Sequence, residues 1–325
     1  MDLFRQILSM DSTSGREREM GRWLAEHLDA PYVEALEVGN DTLNVLLRWS
    51  KTPRVVFCSH MDTVPPYIPP TFLEDRVLGR GTCDAKGQFY AMYRACLHLA
   101  AAGHTDMALL ILSGEETGSW GAKAFSKTGF TAPLLVVGEP TENKMVSACK
   151  GTKRFDLTFL GTPFHSGYPD RGVSAVDLFM DFMQALREAG FPDDPELGAT
   201  TWNVGRLVSD NPQNILSPEL TCKLYFRTTF ASDAAVTAWM QARASDRVRV
   251  EEIGGDAPAR YLTLPGFPAA PVAFGSDAPH LTGFAQKIIC GPGSITVAHR
   301  DDEFLTRADF EEAINIYVKI YESYH

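Results

Sequence analysis

The chain has 325 residues, 45% of them hydrophobic, and a formal net charge of -11, which predicts a globular protein of one large domain or two. The negative balance excludes a nucleic-acid backbone or an anionic membrane as the main partner, since both would be repelled, and leaves a small molecule or a protein. Six cysteines (Cys58, Cys83, Cys96, Cys149, Cys222 and Cys290) stand apart without CxxC spacing. They predict buried thiols in a reducing, cytoplasmic compartment, and no run approaches the roughly 18–20 apolar residues of a membrane span.

In chain order, "STSGREREMGRWLAEHL" reads as a capped amphipathic helix, with Met20, Trp23, Leu24 and Leu28 at helical spacing. The short apolar runs "NVLL", "RVVFCS", "MALLILS" and "LLVVGE" follow, separated by helix-like stretches such as "QFYAMYRACLHLAAAG". Continuous apolar strands alternating with helices predict a mostly parallel sheet covered on both faces. After Lys150 the texture changes. "KRFDLTFLG", "TTWNVGRLVS", "LTCKLYFRTTF" and "RVRVEEI" alternate in polarity, and "VSAVDLFMDFMQALREAG" and "SDAAVTAWMQARAS" are helical. The order β-α-β-β-α-β is that of a ferredoxin-like α+β insert. From about Leu262 the α/β texture returns and closes on the amphipathic helix "RADFEEAINIYVKIYESY". The predicted architecture is a catalytic α/β domain (1–150 and 262–325) carrying an inserted domain (151–261).

Three of the apolar runs end in potential metal ligands: His60 with Asp62, Glu115 with Glu116, and Glu139. Ligands of open α/β sheets bind at the carboxyl ends of strands, where residues distant in sequence converge. Residues two apart on an extended chain point the same way, which puts Asp62 within reach of the second ring N–H of His60. "GRGTCDAKGQ" places Asp84 in a glycine-rich loop that opens a helix, and "GPGSITVAHRDDE" offers His299. Taken singly, each has an ordinary reading as a turn, a solvated charge or a phosphate loop. Taken together, carboxylates gathered at one sheet end would repel one another unless cations neutralised them.

The motifs "SHMDTVP", "GRGTCDAKGQ", "SGEETGSWGAKAF", "VGEPTEN", "GTPFHSGYPDRGVSAVD", "NILSPELTCKLYFRTT" and "GPGSITVAHRDDEFL" span nearly the whole chain. In that order the sequence resembles the co-catalytic zinc metallopeptidases and amidohydrolases that include acetylornithine deacetylase, succinyl-diaminopimelate desuccinylase, aminoacylase and peptidase T. The resemblance implies two Zn2+ ions, for which Co2+ or Mn2+ can substitute. Asp84 would bridge them, His60 and Glu139 would complete one site, and Glu116 and His299 the other. It further implies Glu115 as general acid/base and Asp62 as the partner of the metal-bound histidine. His165 of the inserted domain would stabilise the oxyanion, Arg227 would grip a substrate carboxylate, and Asn214 would lie nearby. His280, with Asp277, falls where relatives shape specificity.

The resemblance also implies a homodimer formed through the inserted domain, which would serve as lid and dimerisation surface. The chain departs from the family pattern at Gly114, where relatives commonly have an acid, and at Phe226, where an Asp often precedes the arginine. It departs again after His299, where relatives often have Thr. His27, His98, His104 and His325 read as structural or solvated.

The expected activity is removal of an N-acyl group, acetyl first, from an amino acid, as in the acetylornithine and acetylcitrulline deacetylases of arginine biosynthesis. A metal-dependent dipeptidase, tripeptide aminopeptidase or carboxypeptidase is the alternative. A non-catalytic binding protein on the same fold is a third reading, from which a lost ligand or a lost catalytic glutamate would be expected.

Overall fold

The computed structural model describes residues 2–324. The long strands are β1 (Tyr32–Gly39), β2 (Thr42–Arg48), β3 (Val55–His60), β4 (Met107–Leu112), β5 (Ala132–Val137), β6 (Gly151–Leu160), β7 (Thr201–Val208), β8 (Glu219–Thr228), β9 (Val248–Gly254) and β10 (Phe284–Ile289). The helices are α1 (Asp2–Ser9), α2 (Glu17–His27), α3 (Lys86–Ala101), α4 (Trp120–Ser126), α5 (Ala175–Arg187), α6 (Asp233–Gln241) and α7 (Arg307–Ser323). Packing divides the chain into two units. One holds the residues up to Ser147, Tyr261–Ala270 and those from Ser276 onward; the other holds Ala148–Arg260 and Pro271–Gly275.

In the first unit β3 and β4 are buried along their whole length and β5 along nearly all of it. Apolar side chains on both faces are what a sheet interior covered by helices requires. The six-stranded order is β1-β2-β4-β3-β5-β10. Strands β4, β3, β5 and β10 are parallel, with His60 opposite Leu112, Cys58 opposite Val137, and Ile289 opposite Val137. That register brings the carboxyl ends of all four to one edge, and the functional side chains follow from there.

The sheet is mixed, because β1 and β2 join it antiparallel. Asn40 and Asp41 both adopt positive φ (52° and 57°). This turn geometry reverses the chain in two residues, so no crossover helix is needed. Helix α3 packs on both β3 and α7 and buries most of its residues, which is why its apolar positions are not confined to one stripe.

Helix α2 differs from its sequence reading. It starts at Glu17, with Arg16 at the N-cap and no side-chain cap. Ser12 and Ser14 bond elsewhere: Ser12 Oγ donates to the carbonyl of Met61 at 2.6 Å and Ser14 Oγ to Asp62 Oδ2 at 2.8 Å. Hydroxyls expected to cap a helix are spent on the segment that follows β3.

The second unit has the element order β6-α5-β7-β8-α6-β9 and an antiparallel sheet ordered β7-β8-β6-β9, the ferredoxin-like arrangement. Phe155, Leu157, Phe159, Leu220, Cys222, Leu224 and Phe226 form its core with α5 and α6. Alternation along β8 turns Phe226 into that core while Tyr225 and Arg227 face the other way. Phe226 therefore replaces no neighbour of Arg227. The six cysteines are buried and form no disulfide among the described residues, and no helix among those residues is long and apolar enough to cross a membrane.

Candidate active site

The chain emerging from β3 carries His60 and Asp62. His60 Nδ1 lies 2.9 Å from the Asp62 carbonyl and 3.4 Å from its Oδ1. The sequence suggested the carboxylate as the ring's partner, and here the backbone carbonyl is the nearer one. The carboxylate has further partners: Oδ1 accepts the N–H of Glu115 at 3.0 Å and Oδ2 that of Glu116 at 3.2 Å. One fully buried aspartate thus braces the histidine and the turn that bears both glutamates.

That turn runs from Ser113 to Gly121. Buried Asn44 closes it, its Oδ1 accepting the N–H of Ser113 at 3.0 Å and its Nδ2 donating to the Gly121 carbonyl at 2.9 Å. Gly114 sits at φ 69°, and a Cβ there would lie 3.1 Å from Trp120 Cδ1. The missing acid at this position is thus matched by an indole occupying the adjacent space.

Asp84 is the centre of the group. Its Oδ1 lies 3.1 Å from His60 Nε2 and its Oδ2 3.2 Å from His299 Nε2, which in turn lies 2.9 Å from Glu116 Oε1. His60, Asp84 and Glu116 offer ligand atoms all within 4.8 Å of one another. Burial opposes charge on His60, but Asp62 and Asp84 outweigh it and hold its pKa well above the usual histidine range. The hydrogen bonds to Asp84 and Glu116 lift His299 to about 10. Burial would raise the Asp84 pKa, yet the two histidines bring it below the ordinary carboxylate range.

Glu115 and Glu139 are pushed well up, above all by burial. For Glu115 the charges of Asp277, Glu116 and Asp62 add to the effect, and for Glu139 those of Glu115 and Asp84. This donor set fits divalent cations. It holds more buried negative charge than its two imidazoles can balance without protonating Glu115 and Glu139, and it places a carboxylate oxygen on each side of Asp84 beside a histidine nitrogen.

Two participants, Asn44 and Glu17, were not singled out from sequence, and Asp277 was noted there only beside His280, where relatives shape specificity. Asn44 looked like part of an ordinary strand. Asp277, which burial above all raises to about 6, interacts with His60, Asp62 and Glu115, and its Oδ1 has no hydrogen-bond partner. Glu17 looked like a first-turn helix acid, yet it is fully buried, with Oε2 accepting the Gly15 N–H at 2.7 Å and Oε1 unpartnered.

Burial, with the Asp62 charge adding to it, pushes Glu17 up to about 7 from an ordinary 4.5. Between those values the folded chain keeps a proton that the unfolded chain has lost, so raising the pH through the window costs the metal-free fold up to about 3 kcal/mol. Glu17→Gln is expected to remove that loss. Denaturant titrations of both proteins from pH 4.5 to 7.5 check it, and parallel curves would show that Glu17 ionises normally.

The other predicted residues are distributed as follows. His280 closes a short turn in the first unit; its carbonyl accepts the Ser126 hydroxyl at 2.6 Å and its N–H donates to the Asp277 carbonyl at 3.0 Å, which sets it behind Asp277. His165, Asn214 and Arg227 belong to the second unit. His165 Nδ1 accepts the Gly167 N–H at 3.1 Å, so the neutral ring carries its proton on exposed Nε2. Asn214 accompanies it, with its carbonyl accepting the Ser166 N–H at 2.9 Å.

Arg227 lies over Tyr225, 5.0 Å from guanidinium carbon to ring centroid. It interacts with Lys150, whose ammonium donates to the Ala199 carbonyl, and neither cation has a carboxylate partner among the described residues. His27 stacks on Trp23 and His104 packs edge-on against Tyr321. His98 lies on α3, and His325 lies outside the described residues.

Residues 56–323 match the model of "Peptidase family M20/M25/M40". A Schizosaccharomyces pombe protein named "Peptidase M20 domain-containing protein" is 30% identical over 98% of this chain and 83% of its own length. A "Probable carboxypeptidase" of Aspergillus fumigatus is 30% identical over 99% of this chain and 86% of its own. Among solved structures, aminopeptidase PepT from Bacillus cereus superposes with a TM-score of 0.78 at 21% identity, covering 99% of this chain and 97% of that one.

Proposed function

Because the chain belongs to peptidase family M20/M25/M40, hydrolases of amide bonds, we propose that it is a di-zinc amidohydrolase that releases an amino acid from the acyl group on its nitrogen. The observation that carries this reading is Asp84, with one carboxylate oxygen at each of two histidine nitrogens. His60 and Glu139 would hold one cation, Glu116 and His299 the other, and Asp84 both; cobalt or manganese could replace zinc. Bound there, the cations supply Lewis acidity to the scissile carbonyl and acidify water.

Glu115 takes the proton of the attacking water on its carboxylate and returns it to the leaving nitrogen. This role suits a buried carboxyl whose proton affinity its neighbours raise. His165 offers its Nε2–H to the carbonyl oxygen as negative charge develops there. Arg227, with Lys150 beside it, anchors the free α-carboxylate of the departing amino acid, and the unpaired state of both cations supports this.

Acetylornithine- and acetylcitrulline-like substrates come first, from the motifs "VGEPTEN" and "GPGSITVAHRDDEF". The relatives named "Probable carboxypeptidase" favour a second reading in which the acyl group is the remainder of a peptide. Both readings place a free carboxylate on the amine side, and the site needs nothing different for either. The reaction would proceed in the cytoplasm, where six buried thiols stay reduced. The protein would act as a homodimer formed through the second unit, where β7 is a sheet edge and Met180 and Leu207 are 60% and 53% exposed. Sedimentation at micromolar concentration tests that assembly, and a single monomeric species would rule it out.

The test of activity is amine release from N-acetyl-ornithine, N-acetyl-citrulline, N-succinyl-ornithine, N-acetyl-lysine, blocked dipeptides and free di- and tripeptides by the zinc-loaded protein. Cleavage of N-acylated amino acids supports the deacylase, and cleavage of blocked dipeptides alone replaces it with the carboxypeptidase. Turnover confined to free peptides overturns both. In the same assay His165→Ala should lower kcat about 10²–10³-fold with zinc content unchanged.

A further inference from the structure

Arg80 and Glu303 meet at 2.7 Å with side chains 1% and 0% exposed. A buried ion pair seldom repays its own desolvation in stability, so its presence calls for another account. Its remaining bonds supply one. Glu303 Oε1 accepts two backbone N–H groups, those of Cys83 at 3.0 Å and Asp84 at 3.1 Å. On the other side, Arg80 Nη1 donates to the Arg300 carbonyl at 3.0 Å, Nη2 reaches the His299 carbonyl at 3.5 Å, and Nε donates to the Pro66 carbonyl at 3.3 Å.

A short antiparallel ladder brings the two charges together. Arg76–Leu78 pairs with Phe304–Thr306, and the Gly79 N–H continues the pairing to the Glu303 carbonyl at 2.9 Å. His299 holds a left-handed backbone, φ 64°, which a residue with a Cβ adopts only when its surroundings impose it.

We infer that Arg80 and Glu303 are positioning residues: one buried charge pair ties the backbone of Asp84 to the backbone of His299 and so sets the distance between the two side chains. The inference rests on the reading of Asp84 and His299 as zinc ligands. Glu303 orients the loop from which the Asp84 carboxylate reaches both histidines, and Arg80 holds the carbonyl of the strained residue opposite. Neither touches substrate. The cation between Asp84, Glu116 and His299 would depend on the clamp most, because both of its anchored ends belong to that group, whereas His60 is braced separately by Asp62.

A purely structural pair would lower stability and leave affinity alone, and this separates the two roles. Zinc affinity of the full chain is measured by chelator competition for wild type, Glu303→Gln, Arg80→Lys and Asp106→Asn. The last breaks the Arg54–Asp106 pair (2.7 Å) just ahead of β4, at the far end from Glu115. Glu303→Gln keeps the shape of the side chain but leaves the buried guanidinium without a counter-charge, and zinc binding is expected to weaken about 10–100-fold. Arg80→Lys keeps the charge and loses the fork to the His299 and Arg300 carbonyls; it should change the visible absorption of the cobalt-loaded protein and weaken binding less. Asp106→Asn should lower Tm with zinc affinity unchanged.

Glu303→Gln and Arg80→Lys that fold, bind zinc within twofold of wild type and give its cobalt spectrum would overturn the inference alone. If Glu303→Gln fails to fold, Arg80→Lys decides by the same two readouts. Wild-type protein that takes up no zinc would overturn the metal reading and the clamp with it.

Discussion

Glu115→Gln is expected to lower kcat by about 10²–10⁴ while the protein binds as much zinc as wild type. The amide keeps the volume of the carboxyl and can still accept a hydrogen bond, but it cannot carry a proton from water to a leaving nitrogen. The substitution leaves the backbone in place, since the Glu115 N–H is held by Asp62 Oδ1 and the Glu116 N–H by Asp62 Oδ2. Glu116 should therefore stay where it faces His299. Turnover and metal content measured on the same preparation check the prediction. A variant that lost zinc along with activity would move Glu115 from proton carrier to ligand.

Asp84→Asn should have the larger effect on the metal. Two histidine nitrogens lie against its two oxygens, and an amide offers only one oxygen and no charge. Both cations should bind on the order of 10³-fold more weakly, beyond the 10–100-fold typical of residues one step removed from a metal, and turnover should fall to background. The metal-free protein gives a second readout. The hydrogen bonds to Asp84 and Glu116 raise His299 to about 10 from 6.5, so their stabilising effect is complete below about 6.5 and disappears as pH rises through 10. Asp84→Asn should flatten that decline in Tm across the alkaline range. Unchanged zinc affinity at both sites would refute the bridging role.

The α/β class was legible because β3, β4 and β5 are apolar on both faces, a pattern that only a covered sheet demands. The places to look for chemistry were legible for a related reason: charges that interrupt such runs must lie at strand ends, and the structure gathers His60, Asp62, Asp84, Glu115, Glu116, Glu139 and His299 there. The β1–β2 hairpin was less visible, since its only local sign is an Asn-Asp pair whose positive φ a sequence does not display.

Glu303, Arg80 and Glu17 were invisible for a deeper reason. A charged residue in a loop or a first helical turn reads as solvated, and only the folded chain shows that water is excluded from it. Phe226 gives the converse lesson. Against the family pattern it stood as a departure beside Arg227, yet strand alternation turns it to the opposite face, where its aromatic bulk fills a core.

Asp62 occupies a branch point. Because one carboxylate and its own carbonyl serve His60, Glu115 and Glu116 together, the proposed metal holding and proton transfer would share a single support, and any change at this position would disturb both at once.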